Sequence, residues 1–276
     1  MRKIITHTDL EELTFFRELM LQKKQIEWHT QWTMLQDDEL FLFKDWIFPV
    51  TLEDFRENEV LECGCGGGQH TSFVAPYAKH HTAIDLNTID IAQQRNINAT
   101  NVTFLESDIT SMDLNKQFDI VFSIGVLHHT DDPNAAFKNM AKHTKSGGKT
   151  IVWVYSKEGN VLVEYIVEPI RKLFLRHLSR TTLLKISKVI TGMLYFFVYT
   201  IYCLPLKFLP FFEYFGNFRK LSFARNCLNV FDKLNAPQVA FISYDRIKKW
   251  FIENGYEKIN ITSYMGVSWR GSGVKK

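Results

Sequence analysis

The sequence predicts an α/β fold built on a mostly parallel β-sheet, and three observations support this prediction. Short apolar runs alternate with helix-like stretches of about ten residues across residues 58–156, a pattern typical of sheets built from right-handed crossover connections. An amphipathic segment and two further strand-like runs follow at 244–270. The composition, 46% hydrophobic and 23% charged, is that of a globular protein and excludes a disordered chain.

Each element is placed by the spacing of its apolar residues and by the residues that interrupt it. Residues 9–48 carry apolar side chains at helical spacing, and Pro49 ends that pattern. The strand-like runs are residues 59–63, 82–86, 101–105, 118–123, 150–155, 258–263 and 266–270. The helix-like stretches between them are residues 69–80, 89–98, 133–145 and 244–254. Strands alternate with helices through most of this list, as a parallel sheet requires.

The alternation stops at residue 157 and returns at residue 236. The segment between is helical and aromatic, and no acidic residue occurs between Glu168 and Glu213. We therefore expect one α/β domain formed by residues 50–156 and 236–276, with a helical insertion over 157–235 that acts as a lid. N-terminal helices over residues 1–49 are expected to join this lid. A chain of 276 residues can bury a core of this size without disulfides or metals.

The cysteines and the charge predict the compartment and exclude some classes of partner. Cys63, Cys65, Cys203 and Cys227 are too few and too unevenly spaced for a disulfide scaffold. The C-x-C at Cys63 and Cys65 lacks the second pair of ligands that zinc requires, so we expect no metal site. Residues 1–12 lack the apolar core of a signal peptide, which predicts a cytoplasmic protein. The net charge of +3 is too small for a nucleic-acid polycation.

The ends of the first three predicted strands carry a candidate binding site. Four glycines occur within residues 64–68, so the backbone there can turn tightly and approach a ligand. The second strand ends at Asp85, whose carboxylate suits two ribose hydroxyls, and the third runs into Glu106-Ser107-Asp108. Because the carboxyl ends of parallel strands meet at one edge of the sheet, these groups are expected to lie together. This arrangement predicts a nucleoside-containing ligand.

Two other interpretations of the glycine loop stay open at this point. The first is a tight strand-to-helix turn that binds nothing. The second is a nicotinamide dinucleotide site, but the G-x-G-x-x-G fingerprint requires glycine at position 69, where this chain has Gln69. In addition, Glu62 would repel a pyrophosphate and suits a ligand with an ammonium group. The residues therefore favour a nucleoside that carries an amino acid.

Five segments within residues 58–155 resemble, in order, the motifs of class I S-adenosylmethionine-dependent methyltransferases. They are residues 60–68, 83–86, 104–109, 118–130 and 146–149, the last being the turn before strand five. The resemblance implies a Rossmann-like, seven-stranded sheet with an antiparallel last strand, and S-adenosylmethionine as the cofactor. Gln31-Trp32 and residues 241–256 and 266–271 are more weakly similar to a bacterial subgroup with a helical insertion. Its members modify small molecules, sugars or lipid-linked precursors.

The resemblance also implies a role for each motif residue. Those expected to bind the cofactor are Glu62, Cys63, Gly64, Cys65, Gly66, Gly68, Asp85, Leu86, Ser107, Asp108, Ile109, Ser123 and Ile124. Glu62 and the glycine loop would hold the methionine part, Asp85 the ribose, and Asp108 the adenine amino group. Ser123 and Ile124 would lie under the sulfonium and its methyl group.

His128 and His129 are expected to face the acceptor. A hydroxyl acceptor needs a base with a pKa near neutral, and His is the natural candidate. The alternative is that the pair only begins a helix held by the Asp131-Asp132 turn.

The implied function is methyl transfer to a small-molecule or to a lipid- or sugar-linked acceptor. The alternative is a non-catalytic protein that kept the nucleoside site. Amino methyltransferases of nucleic acids carry Asn/Asp-Pro-Pro-Tyr after strand four, where this chain has residues 123–126 as Ser-Ile-Gly-Val. We therefore expect no nucleic-acid partner.

The insertion permits three interpretations, because residues 189–206 include no charged side chain. The segment could span a membrane, form a buried pair of lid helices, or contact a bilayer or a lipid-like acceptor. Seven Lys and Arg residues without an acid at 169–212, together with many aromatics, suit an interface. We expect membrane-surface contact through residues 161–215, on the inner face of the membrane. The cations expected to make that contact are Arg171, Lys172, Arg176 and Arg180.

Overall fold

The computed structural model describes residues 26, 27, 29, 30, 32, 33 and 39–276. Much of the N-terminal segment predicted as helical, including Gln31, lies outside the described residues. Helix α1, Leu40–Ile47, lies inside the described part of the chain and buries Leu42, Phe43 and Ile47.

Seven strands form one sheet in the order β3-β2-β1-β4-β5-β7-β6. They are β1 Glu59–Cys63, β2 His80–Asp85, β3 Val102–Glu106, β4 Phe118–Ile124, β5 Thr144–Tyr155, β6 Tyr256–Tyr264 and β7 Ser268–Lys275. The first five strands pair in parallel, whereas β7 lies antiparallel between β5 and β6. The seven-stranded, Rossmann-like methyltransferase sheet with an antiparallel last strand is therefore confirmed.

Helices cover both faces of this sheet. After α1 they are α2 Gln69–Val74, α3 Ile89–Arg95, α4 Pro133–Lys142, α5 Glu168–Leu173, α6 Arg180–Thr200, α7 Phe212–Phe218, α8 Phe223–Asn235 and α9 Tyr244–Glu253. Successive residues of β4 serve opposite faces, as the period of two in a strand requires. Val121 belongs to the core that includes α4 and α9, whereas Ile120 and Phe122 belong to the core that includes α1 and α2.

Two predicted boundaries differ from the structure for identifiable reasons. Helix α2 ends at Val74 rather than at residue 80, because Pro76 has no backbone N–H with which to continue the helical hydrogen bonds. Strand β5 begins at Thr144, so the turn predicted at 146–149 lies within the strand. Phe118 pairs with Thr144 and Ile120 with Lys149, so the residues between them bulge out of the ladder, where Gly147 has φ +78°. A search for apolar runs does not detect such a polar start.

The helical insertion, residues 157–235, is called the cap below and carries helices α5–α8. Helix α6 packs along α8, and Val198, Phe218 and Val230 form the centre of their shared apolar cluster. Within the described part of the chain, α6 is the one helix long and apolar enough to cross a membrane. One side of this helix packs against other helices of the cap, as in a globular protein. Its length and composition alone therefore do not show that it crosses a membrane.

The basic residues of the cap are arranged differently from the prediction. Arg171 is buried, donates to Glu168 Oε2 at 2.7 Å and also donates to the carbonyl of Ala236. Lys172 Nζ lies 3.7 Å from the same carboxylate, and Arg180 pairs with Glu27. The acid-free segment therefore finds acidic partners elsewhere in the chain, at Glu168 directly before it and at Glu27 near the N-terminus.

Candidate functional site

The loop between β1 and α2 adopts a shape that only glycine allows. Gly64, Gly66 and Gly68 have φ angles of +85°, +52° and +76°, in the region that other residues rarely adopt. A Cβ atom at Gly64 would lie 2.5 Å from Val126 Cγ1, and one at Gly66 would lie 2.5 Å from Trp32 Cε2. The loop therefore has no room for side chains on the surface that faces these neighbours.

Helix α3 and the residues beside it hold the same loop from behind. Thr88 Oγ1, Arg95 Nε and Asn96 Nδ2 donate to the carbonyls of residues 66, 67 and 68, at 2.7, 2.8 and 2.9 Å. Sequence reasoning missed these three residues. Arg95 and Asn96 follow Thr88 by seven and eight residues, a spacing that places all three on one face of a helix. That spacing could have indicated that they act together.

Asp85 connects the end of β2 to the glycine loop. Its Oδ2 accepts a hydrogen bond from the Gly66 amide at 2.9 Å, and its Oδ1 accepts one from the Asn87 amide at 3.3 Å. A carboxylate has about four lone-pair directions, so Asp85 can accept further hydrogen bonds from a ligand. Glu106, its register partner in β3, is exposed and lies outside the cavity described next.

A cavity of about 200 Å³ lies in front of this loop. Several residues predicted to bind the cofactor line it together: Gly64, Gly66, Asp85, Leu86, Ser107, Asp108 and Ile109. Gly125, Val126, Thr130 and Gln238 close the side toward β4 and α9. The structure thus brings the ends of β1, β2 and β3 to one cavity, as the sequence predicts.

Other predicted residues lie beneath that surface and do not line it. Cys63, Cys65 and Ser123 are buried, and burial raises the pKa of both thiols well above the usual value. Ser123 donates its hydroxyl to the carbonyl of Cys63 at 2.8 Å, so it ties β4 to β1. Gly68 begins α2 behind the loop. These residues support the cavity from within the sheet, whereas Ile124 reaches the larger cavity described below.

Glu62 is a buried carboxylate at the end of β1. Its Oε2 accepts a hydrogen bond from Thr71 Oγ1 at 2.6 Å and lies 3.2 Å from His81 Nε2. Its Oε1 has no hydrogen-bond partner among the described residues, since His70 Nδ1 is 3.8 Å away. A buried carboxylate oxygen without a partner is costly, so a group that donated to Oε1 would be stabilising, although Glu62 itself lies beneath the surface of both cavities.

A second, larger cavity of about 360 Å³ lies between the sheet and the cap. Apolar and aromatic side chains from α1, α2, β4, β5 and the cap form most of its wall: Leu42, Trp46, Phe73, Ile124, Trp153, Leu194, Phe211, Phe215, Phe218 and Leu221. Trp32, Gly125 and His129 line both cavities. The two cavities therefore adjoin at the end of β4.

The structure separates the two histidines that the sequence predicts to be catalytic. His129 lines both cavities, and its Nδ1 lies 2.7 Å from the carbonyl oxygen of Gln238. His128 is fully buried and packs against Tyr155, with the ring centroids 4.3 Å apart and the rings tilted by 38°. It lines neither cavity, so in this structure it does not reach an acceptor. Asp132 caps α4 through the amides of Asn134 and Ala135, which accounts for the turn after the pair.

The larger cavity has a polar end where β5 meets α8. Tyr155 donates its hydroxyl to Asp232 Oδ2 at 3.3 Å, and Lys233 Nζ donates to Tyr214 Oη at 3.0 Å. Burial raises the pKa of Tyr155. Burial alone would lower the pKa of Lys233, but Tyr214 and Tyr155 raise it overall. At neutral pH this end therefore presents a neutral phenol and a cationic ammonium group.

Comparison with known proteins supports the resemblance to methyltransferases that the sequence motifs indicate. Residues 61–152 match the methyltransferase domain family. Ubiquinone biosynthesis O-methyltransferase of Rickettsia conorii is 28% identical over 135 residues, which cover 44% of this chain and 45% of that protein. Residues 61–152 therefore form a methyltransferase domain of the class I S-adenosylmethionine-dependent type.

Solved structures agree on the fold of this chain. N-methyltransferase NodS from Bradyrhizobium japonicum, in complex with S-adenosyl-L-homocysteine, has a TM-score of 0.51 at 14% identity, covering 90% of this chain and 98% of that chain. An O-methyltransferase family protein from Burkholderia thailandensis has a TM-score of 0.52 at 13% identity, covering 86% and 56%. This chain spans about half the length of the curated relatives it matches.

The residues of the candidate site fit S-adenosylmethionine. The unpartnered Oε1 of Glu62 suits an ammonium group, and the glycine loop allows close approach of a ligand. Asp85 and Asp108 line the smaller cavity beside the apolar Leu86 and Ile109, as a ribose and an adenine ring require. The cofactor that the sequence predicts is therefore consistent with the geometry of the site.

Replacement of Asp85 by Ala is expected to weaken cofactor binding. The change removes the carboxylate that faces the cavity, and hydrogen bonds to charged groups are worth about 1.5–3 kcal/mol, or roughly 10–150-fold in Kd. Titration calorimetry with S-adenosylhomocysteine measures the loss. Glu106→Ala, which removes the register partner outside the cavity, is the matched control and should bind like the wild type. Unchanged affinity in folded Asp85→Ala would remove Asp85 from the site.

Proposed function

We propose that this protein transfers the methyl group of S-adenosylmethionine to a small amphiphilic acceptor that binds beneath the cap. The main observation in support of this proposal is that the two cavities meet at Gly125 and His129. One cavity gathers the residues that the family uses for its cofactor. The other is larger, mostly apolar, and separate from those residues, as a pocket for a second substrate must be.

The cofactor would be held by the residues of the smaller cavity and of the loop behind it. Glu62 would take the ammonium group of the methionine part, Asp85 the ribose hydroxyls, and Asp108 the adenine amino group. Leu86 and Ile109 would pack on the adenine ring. When bound, S-adenosylmethionine supplies a methyl group on a positively charged sulfur, which is already activated for transfer.

The wall of the larger cavity supports an acceptor with an apolar body and oxygen-containing groups. Trp153 and Gln69 line the cavity. The indole Nε1 of Trp153 and the amide Nε2 of Gln69 are buried without hydrogen-bond partners among the described residues. Each donor would gain from an acceptor oxygen. Lys233 adds a cation at the polar end. Relatives named as O-methyltransferases of ubiquinone biosynthesis also favour an oxygen nucleophile, and a lipid- or sugar-linked molecule meets these requirements.

His129 is the residue that we assign as general base. The neutral tautomer with hydrogen on Nδ1 donates to the Gln238 carbonyl, so Nε2 carries the basic lone pair. The acceptor hydroxyl would lose its proton to Nε2 as its oxygen bonds to the methyl carbon, while the methyl–sulfur bond would break and its electron pair would stay on the sulfur of the departing S-adenosylhomocysteine. The cap, residues 157–235, would serve as a lid that excludes water and aligns the acceptor, and alignment supplies much of the acceleration in such transfers.

The proposal is tested by cofactor binding and label transfer. The purified protein should bind S-adenosylhomocysteine and not NAD in calorimetry. With methyl-labelled S-adenosylmethionine and a lipid extract of cells that express it, it should produce labelled material that partitions into organic solvent. An aqueous small-molecule extract is the parallel arm for a polar acceptor. Cofactor binding without label transfer in either arm would favour the non-catalytic alternative, and folded protein that binds no cofactor would refute the proposal.

A further inference from the structure

Helix α6 exposes large apolar side chains on the outside of the molecule, in addition to those that it buries within the cap. The inner side buries Ser187 and Thr191, whose hydroxyls donate to carbonyls one turn earlier at 2.8 and 2.7 Å. The outer side carries Val189, Met193 and Phe196, with exposed fractions of 57%, 62% and 66%. A surface helix of a soluble protein normally carries polar and charged residues on the side that faces the solvent. The outer side therefore has the composition expected of a surface that is covered in use.

The exposed apolar surface continues on both sides of α6. Leu173 and Phe174 lie at the end of α5 with exposed fractions of 66% each, and Phe208 follows α6 with 80%. Large exposed apolar side chains thus run through residues 161–208. The α/β domain outside the cap exposes fewer of them. A continuous cap segment, rather than scattered side chains, is left for a partner.

The charges on this segment identify the partner. Lys185 and Lys188 are exposed on the outer side of α6, and Lys207 is exposed in the following loop. Among the described residues, none of the three has an acidic partner, and the sequence has no acid at 169–212. A protein partner or a second copy would have to bring acidic residues to a surface that is also strongly apolar. An anionic bilayer offers negative headgroups beside hydrocarbon, which matches both features.

We propose that the outer face of α6, Lys185, Lys188, Val189, Met193 and Phe196, is a docking surface for an anionic lipid bilayer. The lysines lie toward the start of the helix and the apolar residues toward its end. The surface would lie at the membrane–water interface, with apolar side chains among the acyl chains and lysines at the headgroups. This inference does not depend on the proposed activity, because it rests on the outer side of the cap rather than on either cavity.

Vesicle binding by charge variants tests the electrostatic part. The wild type should co-sediment with phosphatidylglycerol–phosphatidylcholine vesicles, and added salt should release it. Lys185→Gln together with Lys188→Gln should weaken partitioning by about 30-fold, since each lysine at the surface contributes about fivefold. Lys138→Gln with Lys248→Gln, which removes two exposed lysines from the core helices, should bind like the wild type. Equal losses in both double variants would overturn the proposal.

Vesicle binding by apolar variants tests the insertion of side chains. Met193→Ser with Phe196→Ser should reduce partitioning by at least about tenfold. Ile97→Ser with Ile252→Ser, which changes two exposed residues of the α/β domain outside the cap, should have little effect. Circular dichroism of every variant serves as the test of folding, which keeps this result independent of cofactor binding and of the proposed function.

Cys203 provides a readout that needs no variant. It is exposed in the loop after α6, whereas Cys63, Cys65 and Cys227 are buried. A polarity-sensitive fluorophore on this thiol should shift to shorter wavelength with anionic vesicles and not with phosphatidylcholine alone. No shift and no sedimentation at low salt would refute the proposal. A dimer in analytical ultracentrifugation that Met193→Ser with Phe196→Ser dissociates, without vesicle binding, would assign the surface to a second copy instead.

Discussion

Replacement of His129 by Gln is expected to lower turnover by about 10²–10⁴-fold, the usual contribution of a general base, while cofactor affinity stays near the wild-type value. The reason is geometric. His129 lines both cavities at their junction, and its contact with the Gln238 carbonyl orients the ring with Nε2 as the basic nitrogen. Glutamine keeps a polar side chain of similar length but cannot accept a proton at neutral pH. Single-turnover kinetics with labelled cofactor measure the effect.

His128→Gln is the matched control for this experiment. His128 is the neighbouring residue, is fully buried and lines neither cavity, so its replacement should change stability more than turnover. The two variants therefore distinguish a base from a structural histidine. If folded His129→Gln turns over like the wild type, alignment alone is the source of the rate.

The pH profile gives a second readout of the same residue. Burial lowers the pKa of His129 below the usual value of 6.5. The neutral form is the base, so the activity that depends on it should persist below pH 6.5 and decline only as the pH falls through the lowered pKa. His129→Gln should remove this acidic limb. A wild-type profile that already falls well above pH 6.5 would contradict the assignment.

Replacement of Arg171 by Met is expected to destabilise the protein by about 3–5 kcal/mol, the usual cost of removing one partner from a buried ion pair. Arg171 and Glu168 are both buried, and the same guanidinium donates to Ala236, where the cap returns to the core. Methionine would leave the Glu168 carboxylate with only Lys172, at 3.7 Å. Urea unfolding monitored by circular dichroism measures the loss.

Lys172→Met is the control, because the same type of change removes an exposed partner of the same carboxylate. Exposed ion pairs contribute about 0–1 kcal/mol, so this variant should be nearly as stable as the wild type. The double variant Glu168→Gln with Arg171→Met should recover part of the loss, since it leaves no charge buried. An effect of Arg171→Met no larger than that of Lys172→Met would show that Arg171 is exposed in solution.

The fold could be predicted from the sequence because its signals are local. Alternation of apolar runs with amphipathic stretches marks strands and helices, and the glycines at 64–68 and the acid at Asp85 mark the strand ends. Boundaries were less accurate where one residue or a bulge intervened, as at Pro76 and in β5. Thr88 and Asn96 were missed because their role depends on which loop their helix packs against.

Part of the candidate site could not be predicted in this way. Two adjacent histidines have the same local pattern, and the structure alone shows that His129 reaches the cavities while His128 packs on Tyr155. Likewise, composition alone does not separate a buried arginine from an exposed lysine. Arg171 meets Glu168 within one turn of helix, and Lys185 meets no acid among the described residues.

The sequence by itself determined the sheet, the cofactor motifs and the presence of a basic, aromatic insertion, because spacing along the chain encodes each of them. The tertiary structure alone decided the orientation of that insertion. Whether Ser187 or Phe196 faces outward depends on which side of α6 packs against α8, and that choice is made by the whole helix pair. Hydrophobic content is a property of the sequence, whereas exposure is a property of the packing around it.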